Sequence, residues 1–214
     1  MSIHSNRAGR RAGFTLLELV IATALLSLVL GAVGLVQMRA RDGAKAGMGR
    51  ELVETHCRRT LDRVAEELQG VGHSLLFPDP STQLGTSSIT YQHPVSVSPT
   101  GVVTWDAPSS LILQLEAGET DNGLDDDGDG LIDERRLVLT RNGVSTVLCT
   151  GLTELGEGEV ANGLDDNGNG VVDEAGFNVR KIGDLLTIRM TVQGLAGEGE
   201  IALSSLQTAV VLHN

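Results

Sequence analysis

Aromatic side chains are nearly missing: the 214 residues include three Phe, one Tyr and one Trp. A core must therefore be built mostly from Leu, Val and Ile. Basic residues are also short, with 16 Lys and Arg against 28 Asp and Glu and a formal net charge of −12. A chain this acidic repels phosphate, which argues against nucleic acid as a partner. At 41% hydrophobic and 21% charged, it reads neither as a disordered chain nor as a polytopic membrane protein. There is no nucleophile–base pair, no phosphate-binding loop and no zinc-ligand spacing, so no enzyme is expected. Two absences are local. Residues 1–13 hold Arg7, Arg10 and Arg11 but no acid. Asp125–Glu134 and Asp165–Glu174 hold ten of the 28 acids but no base.

The stretch Phe14–Met38, FTLLELVIATALLSLVLGAVGLVQM, carries one charge, Glu18. About 20 apolar helical residues cross a bilayer core, so this run is long enough. The arginines before it are expected to stay in the cytoplasm, placing the rest of the chain outside the cytoplasmic membrane. A cleavable secretory signal would have a shorter apolar core with no carboxylate; its small-x-small match, Ala44-Lys45-Ala46, lies well past the run. A twin-arginine signal fits poorly, because Phe14 follows Arg10-Arg11 one place late. A plain anchor leaves Glu18 unexplained, since charge within hydrocarbon costs a few kcal/mol and is usually functional.

Gly13-Phe14-Thr15-Leu16-Leu17-Glu18 resembles the class III leader of type IV pilins and type II secretion pseudopilins. The resemblance implies cleavage after Gly13 by a prepilin peptidase, N-methylation of Phe14, and an assembly role for Glu18. Cleavage leaves a cationic amine on Phe14. In a bundle of apolar helices, the amine of a neighbouring subunit is the available counter-ion for a carboxylate that is costly to leave unpaired. Such a pair would set the register of each incoming subunit. Further on, LVETHCRRTLDRVAEELQGVGHSLLF resembles the helix end of PilW-like minor pilins and GspJ-like minor pseudopilins. LQTAVVLHN is similar to their last strand, with His213-Asn214 where Arg-Asn is common.

Val53, Cys57, Leu61, Val64, Leu68 and Val71 recur at spacings of three and four, one apolar stripe on an amphipathic helix. Gly70 and Gly72 are placed to end it. One helix from Phe14 to about Gln69 would be on the order of 80 Å long. Gly43, Gly47 and Gly49 weaken its middle, by roughly 1 kcal/mol each against Ala. The stripe is expected to cover one face of a sheet. Short strands follow: SSITYQHPVSVS, GVVTWDA, SLILQLE, RRLVLT, VSTVLC, LLTIRMTVQ and LQTAVVLHN. Pro99-Thr100-Gly101 reads as a turn and Asn142-Gly143 as a two-residue hairpin. Cys57 lies on the helix stripe and Cys149 on a strand. In an oxidising compartment a Cys57–Cys149 disulfide is expected, two buried thiols being the alternative.

Gly118–Glu134 reads GETDNGLDDDGDGLIDE and Gly158–Glu174 reads GEVANGLDDNGNGVVDE, identical at 11 of 17 positions with a period of 40. Oxygen-bearing residues alternate: Asp125, Asp127 and Asp129 before Gly130; Asp165, Asn167 and Asn169 before Gly170. This is the spacing by which a tight loop offers oxygens to Ca²⁺. Two calcium ions are expected. The carbonyls of Leu131 and Val171 would ligate at the seventh place, Asp133 and Asp173 fall at the ninth, and Glu134 and Glu174 follow. The twelfth place is Arg136 in one copy and Gly176 in the other, so neither loop is an EF-hand. The loops instead resemble dockerin-like or thrombospondin-repeat-like calcium segments, with Glu134 or Glu174 or a distant carboxylate completing the shell.

The expected architecture is α+β, a long N-terminal helix packed on an antiparallel β-sheet domain. It divides into a cleaved leader (1–13), a transmembrane and assembly helix (14–38), an amphipathic helix (39–72) and a β-rich extracytoplasmic domain (73–214) with calcium loops at 121–134 and 161–174. The resemblance implies a non-enzymatic minor pilin or pseudopilin. Its partners would be the prepilin peptidase, the inner membrane before assembly, and other subunits through the N-terminal helix. It would span the inner membrane once, N-terminus in the cytoplasm, before entering a periplasmic or cell-surface filament. The alternatives are a type II secretion minor pseudopilin and a membrane-tethered calcium-dependent adhesion domain.

Overall fold

The computed structural model describes residues 15–197 and 199–212. Among these described residues there is one α-helix, α1 (Leu16–Leu68), followed by a 3-10 turn at His73–Leu75. Nine strands follow: β1 (Ser88–Tyr91), β2 (Pro94–Val97), β3 (Val103–Trp105), β4 (Ser109–Leu115), β5 (Arg135–Arg141), β6 (Val144–Leu152), β7 (Phe177–Ile182), β8 (Leu185–Leu195) and β9 (Ile201–Val211). All strand pairings are antiparallel. The α+β expectation therefore holds. The chain divides into two units, Met1–Ala44 and Lys45–Asn214.

Within the first unit, helical residues from Leu16 onward carry their apolar side chains exposed, Leu16 at 81% and Leu25 at 60%. Thr15 and Glu18 open the helix. The Glu18 carboxylate accepts from the Thr15 N–H (2.9 Å) and hydroxyl (3.0 Å), and the Thr15 Oγ1 accepts from the Glu18 N–H (3.2 Å). This reciprocal arrangement is a capping box, which satisfies N–H groups that the first turn leaves without partners.

Within the second unit, α1 buries Val53, Cys57, Thr60, Leu61, Val64 and Leu68, and Val71 follows them into the core. The stripe read from the sequence is thus the packing face, with Thr60 added. Gly70 adopts φ +82° just past the helix, the left-handed conformation that favours glycine at a helix C-terminus. Gly49 has a different reason to be glycine: a Cβ there would fall 2.5 Å from Ala196 Cα, so the helix passes against backbone at the β8–β9 connection.

The main sheet has the order β1-β4-β5-β6-β8-β7, with β9 paired along β8 from Leu185↔Val211 to Leu195↔Ile201. Thr86, just before β1, exchanges two backbone hydrogen bonds with Val179 of β7 (2.8 and 2.9 Å), so the circuit of neighbours closes on itself. β2 and β3 form a separate two-stranded ribbon. Asn142 (φ 52°) and Gly143 (φ 76°) make the expected tight turn, with Arg141 opposite Val144. The sequence reading had no strand at β7. It buries three consecutive residues, Phe177, Asn178 and Val179, which hides any alternation, and the Asn178 amide is satisfied by the Leu84 carbonyl at 3.0 Å.

The last turn of α1 is held at Glu67. Its Oε1 accepts from the buried Tyr91 hydroxyl at 2.8 Å and from Arg141, while its carbonyl accepts from His93 Nε2 at 2.8 Å.

The expected Cys57–Cys149 disulfide is not made: both residues are free, buried thiols. Cys57 Sγ points at the Met190 carbonyl of β8 (3.7 Å). β6 instead meets the helix at Thr60, whose hydroxyl donates to the Leu148 carbonyl at 3.5 Å. Thr60, three residues beyond Cys57, is thus a helix residue that meets the strand carrying Cys149. Burial raises both thiols, Cys57 to about 11 and Cys149 to about 12.

Candidate functional site

Two features stand out, the exposed apolar helix and the paired acidic loops. Among the described residues, α1 is the one helix long and apolar enough to cross a membrane. Glu18 sits in its first turn, exposed and capped by Thr15. The Thr-x-x-Glu spacing was the available signal for that cap. Gly13 and Phe14, the expected cleavage and methylation sites, lie outside the described residues, as do His213 and Asn214.

The first acidic loop joins β4 to β5 and is wound around its own carboxylates. Asp125 accepts from the Gly128 and Gly130 N–H groups at 2.6 and 2.9 Å. Asp127 Oδ1 accepts from Asp129 N–H (3.0 Å), and Asp129 Oδ1 from Leu131 N–H (2.8 Å). Left-handed glycines at 128 and 130 allow the turn. Asp133 spends both oxygens on the N–H groups of Asn122 and Gly123, at 3.0 and 2.7 Å. Leu131 is buried beneath the loop.

Carboxylate oxygens gather in two overlapping groups, Glu119–Asp125–Asp127 and Asp127–Asp129–Glu134, each with its members within 4.8 Å of one another. Asp133 belongs to neither. Glu119 was absent from the sequence expectation, yet Gly118-Glu119 recurs as Gly158-Glu159 in the second copy, and that repetition was the signal for it. Glu134 is fully buried, and neither of its oxygens has a hydrogen-bond partner. Burial pushes its carboxyl up to about 7, helped by the charges of Asp129, Glu119 and Asp127.

The second loop, between β6 and β7, repeats the winding. Asp165 accepts from Asn169 and Gly170 N–H at 3.0 and 2.7 Å, Asn169 Oδ1 accepts from Val171 N–H at 2.8 Å, and Asp173 accepts from Asn162 and Gly163 at 3.0 and 2.8 Å. Val171 is buried like Leu131. The centre differs. Glu174 Oε1 accepts from the amides of Asn167 (3.0 Å) and Asn169 and from Arg189 Nη1 (3.0 Å). Of the expected ligand side chains, Asp125, Asp127, Asp129 and Glu134 fall in the first loop's oxygen groups and Asn167, Asn169 and Glu174 meet one another in the second, while Asp133 and Asp173 are spent on backbone N–H groups.

Residues 9–34 match the family model described as the prokaryotic N-terminal methylation motif. No curated protein and no solved structure matches the chain. Together with the long N-terminal apolar helix and the antiparallel sheet domain, the motif supports a type IV pilin-like protein. It points to a structural subunit rather than an enzyme, anchored in the inner membrane by a single pass. It also implies processing by a prepilin peptidase and assembly with other pilin subunits.

Proposed function

We propose that this protein is a minor pilin or minor pseudopilin. It enters the inner membrane through its apolar helix, is cut after Gly13, and is methylated on Phe14. It then joins a type IV pilus-like filament by helix–helix packing, its β domain facing outward and stiffened by calcium at the acidic loops. One observation carries the reading. The methylation motif at 9–34 overlaps a helix whose apolar side chains stay exposed from Leu16 (81%) to Met38 (64%). A continuous apolar surface of this kind needs lipid or another helix around it. The minor role is supported by the resemblance of the helix end to PilW-like and GspJ-like subunits.

Mass spectrometry of the mature protein tests the processing. An N-methylated Phe14 start is expected; an intact leader, or a cut near Ala46, would overturn the reading. Glu18→Ala is expected to leave the protein in the membrane at normal level but absent from sheared filaments. Normal incorporation of that variant would remove the assembly role. For the calcium part, the β domain should melt at higher temperature with Ca²⁺ than with EDTA, by about 2.7 kcal/mol of added stability at a hundredfold excess over Kd. Coincident melting curves would sink it.

A further inference from the structure

We propose that only the first loop takes a divalent cation of the calcium class, and that in the second loop Arg189, with the amides of Asn167 and Asn169, stands where the ion would be. The inference rests on the cation reading above and narrows it to one ion per chain.

The first loop leaves more unsatisfied than the second: both Glu134 oxygens are buried without a partner, whereas at Glu174 Oε1 has three donors and only Oε2 has none. Glu134 is fully buried, and neither carboxylate oxygen meets a donor. A buried carboxylate without a partner is costly, and a cation is the partner that would satisfy both oxygens at once. The geometry suits a hard cation. Ca²⁺–oxygen distances of roughly 2.3–2.6 Å put ligands on opposite sides of the ion about 5 Å apart. The oxygens of Asp127, Asp129 and Glu134 lie within 4.8 Å of one another. Asp127 and Asp129 each commit Oδ1 to a backbone N–H, which leaves the other oxygen for the ion. Asp127 also belongs to a second group with Asp125 and Glu119, whose oxygens already accept from backbone N–H groups: Gly128 and Gly130 on Asp125, and Asp126, Asp127 and Asp133 on Glu119. Ca²⁺ accepts six to eight oxygens, and water or backbone carbonyls can supply the balance.

The second loop differs at the same places. Its counterparts of Asp127 and Asp129 are Asn167 and Asn169, and both amides donate to Glu174 Oε1. The orientation of Asn167 is fixed from both ends: Oδ1 accepts from Asn169 N–H, and Nδ2 also donates to the Glu157 carbonyl, each at 3.0 Å. N–H hydrogens therefore face the centre where a cation would need oxygens. Arg189 of β8 adds a full positive charge, 3.0 Å from Glu174 Oε1 with the Glu174 side chain fully buried. An ion there would be repelled by the guanidinium and would have to displace three donors from one oxygen.

The test is calcium titration calorimetry on the full processed chain in detergent after stripping with EDTA, with circular dichroism melts to show that each variant folds. One ion per chain is expected. Glu134→Gln should weaken binding by more than about tenfold, the loss that even outer-shell partners can cause. Asp127→Asn with Asp129→Asn gives the first loop the residues of the second and should also abolish binding. Glu174→Gln should leave the titration unchanged. Conversely, Arg189→Met with Asn167→Asp and Asn169→Asp should raise the stoichiometry to two. Two ions in the unaltered chain, with one lost in Glu174→Gln, would overturn the asymmetry and leave the cation reading standing. One ion lost in Glu174→Gln but kept in Glu134→Gln would overturn it as well. A folded chain that binds none would overturn both readings.

Discussion

The two parts of α1 solve opposite problems with similar residues. Over residues 16–44 no side chain is buried, and Leu, Val and Ile point in every direction. Over Val53–Leu68 the large apolar residues fall on one stripe and are buried, while Glu54, Arg58 and Arg59 remain exposed. Helix propensity does not separate the two, because both are helical throughout. Angular distribution does: an all-round apolar helix has no aqueous face to present, whereas a stripe needs one covering surface and no more. The first part is made for surroundings supplied by lipid or other subunits. The second is finished by its own sheet.

The sharpest way to break this comparison is to truncate one leucine in each part. Leu68→Ala removes a side chain that is fully buried and should lower the stability of the β domain by about 2–5 kcal/mol in a urea or thermal melt. Leu25→Ala, at a residue 60% exposed, should leave that melt unchanged and reduce filament incorporation instead. Equal loss of stability in both would erase the distinction.

A smaller and more discriminating pair uses glycine. At Gly43 a Cβ meets nothing within 4 Å, so Gly43→Ala should gain helix stability of up to about 1 kcal/mol. At Gly49 the same atom lands 2.5 Å from Ala196 Cα, so Gly49→Ala should cost about 1–3 kcal/mol through overpacking. Opposite signs from one substitution, six residues apart, would mark where α1 stops being free. The smallest effect concerns Cys57 on the sealed stripe. With burial holding both thiols above their usual range, Cys57 and Cys149 should ignore a thiol reagent at pH 8 in the native protein. Both should react once the chain is unfolded; absence of reaction after unfolding would reveal a bridge.

What could be read in advance followed from local pattern. The stripe from Val53 to Val71, the Asn142-Gly143 turn and the oxygen spacing of the loops each depend on a few neighbouring residues, and the structure keeps the first two as read. The rest depended on what lies across the fold. β7 was hidden because it is flanked by β8 and Thr86, so its residues are buried in a row rather than alternately. The two cysteines were correctly read as apolar-facing, but periodicity does not say which strand crosses under which turn. Within the loops, Asp133 and Asp173 matched the ligand spacing yet serve as caps for N–H groups ten and eleven residues earlier. The contrast between Glu134 and Glu174 turns on Arg189, which arrives from another strand, and no spacing rule within the loop contains it.

The contacts at Glu67 have a mechanical consequence. In the filament proposed above, a pull along the helix would reach the globular part through the helix's last turn. Glu67 is where Tyr91 at the end of β1, His93 just beyond it and Arg141 at the end of β5 all grip the last turn of α1. Three attachments loaded side by side share a pull that any one of them would bear alone if the strands were reached in sequence. The helix is thus tethered to the sheet like a rope with a spliced end, its last turn held from two strands at once.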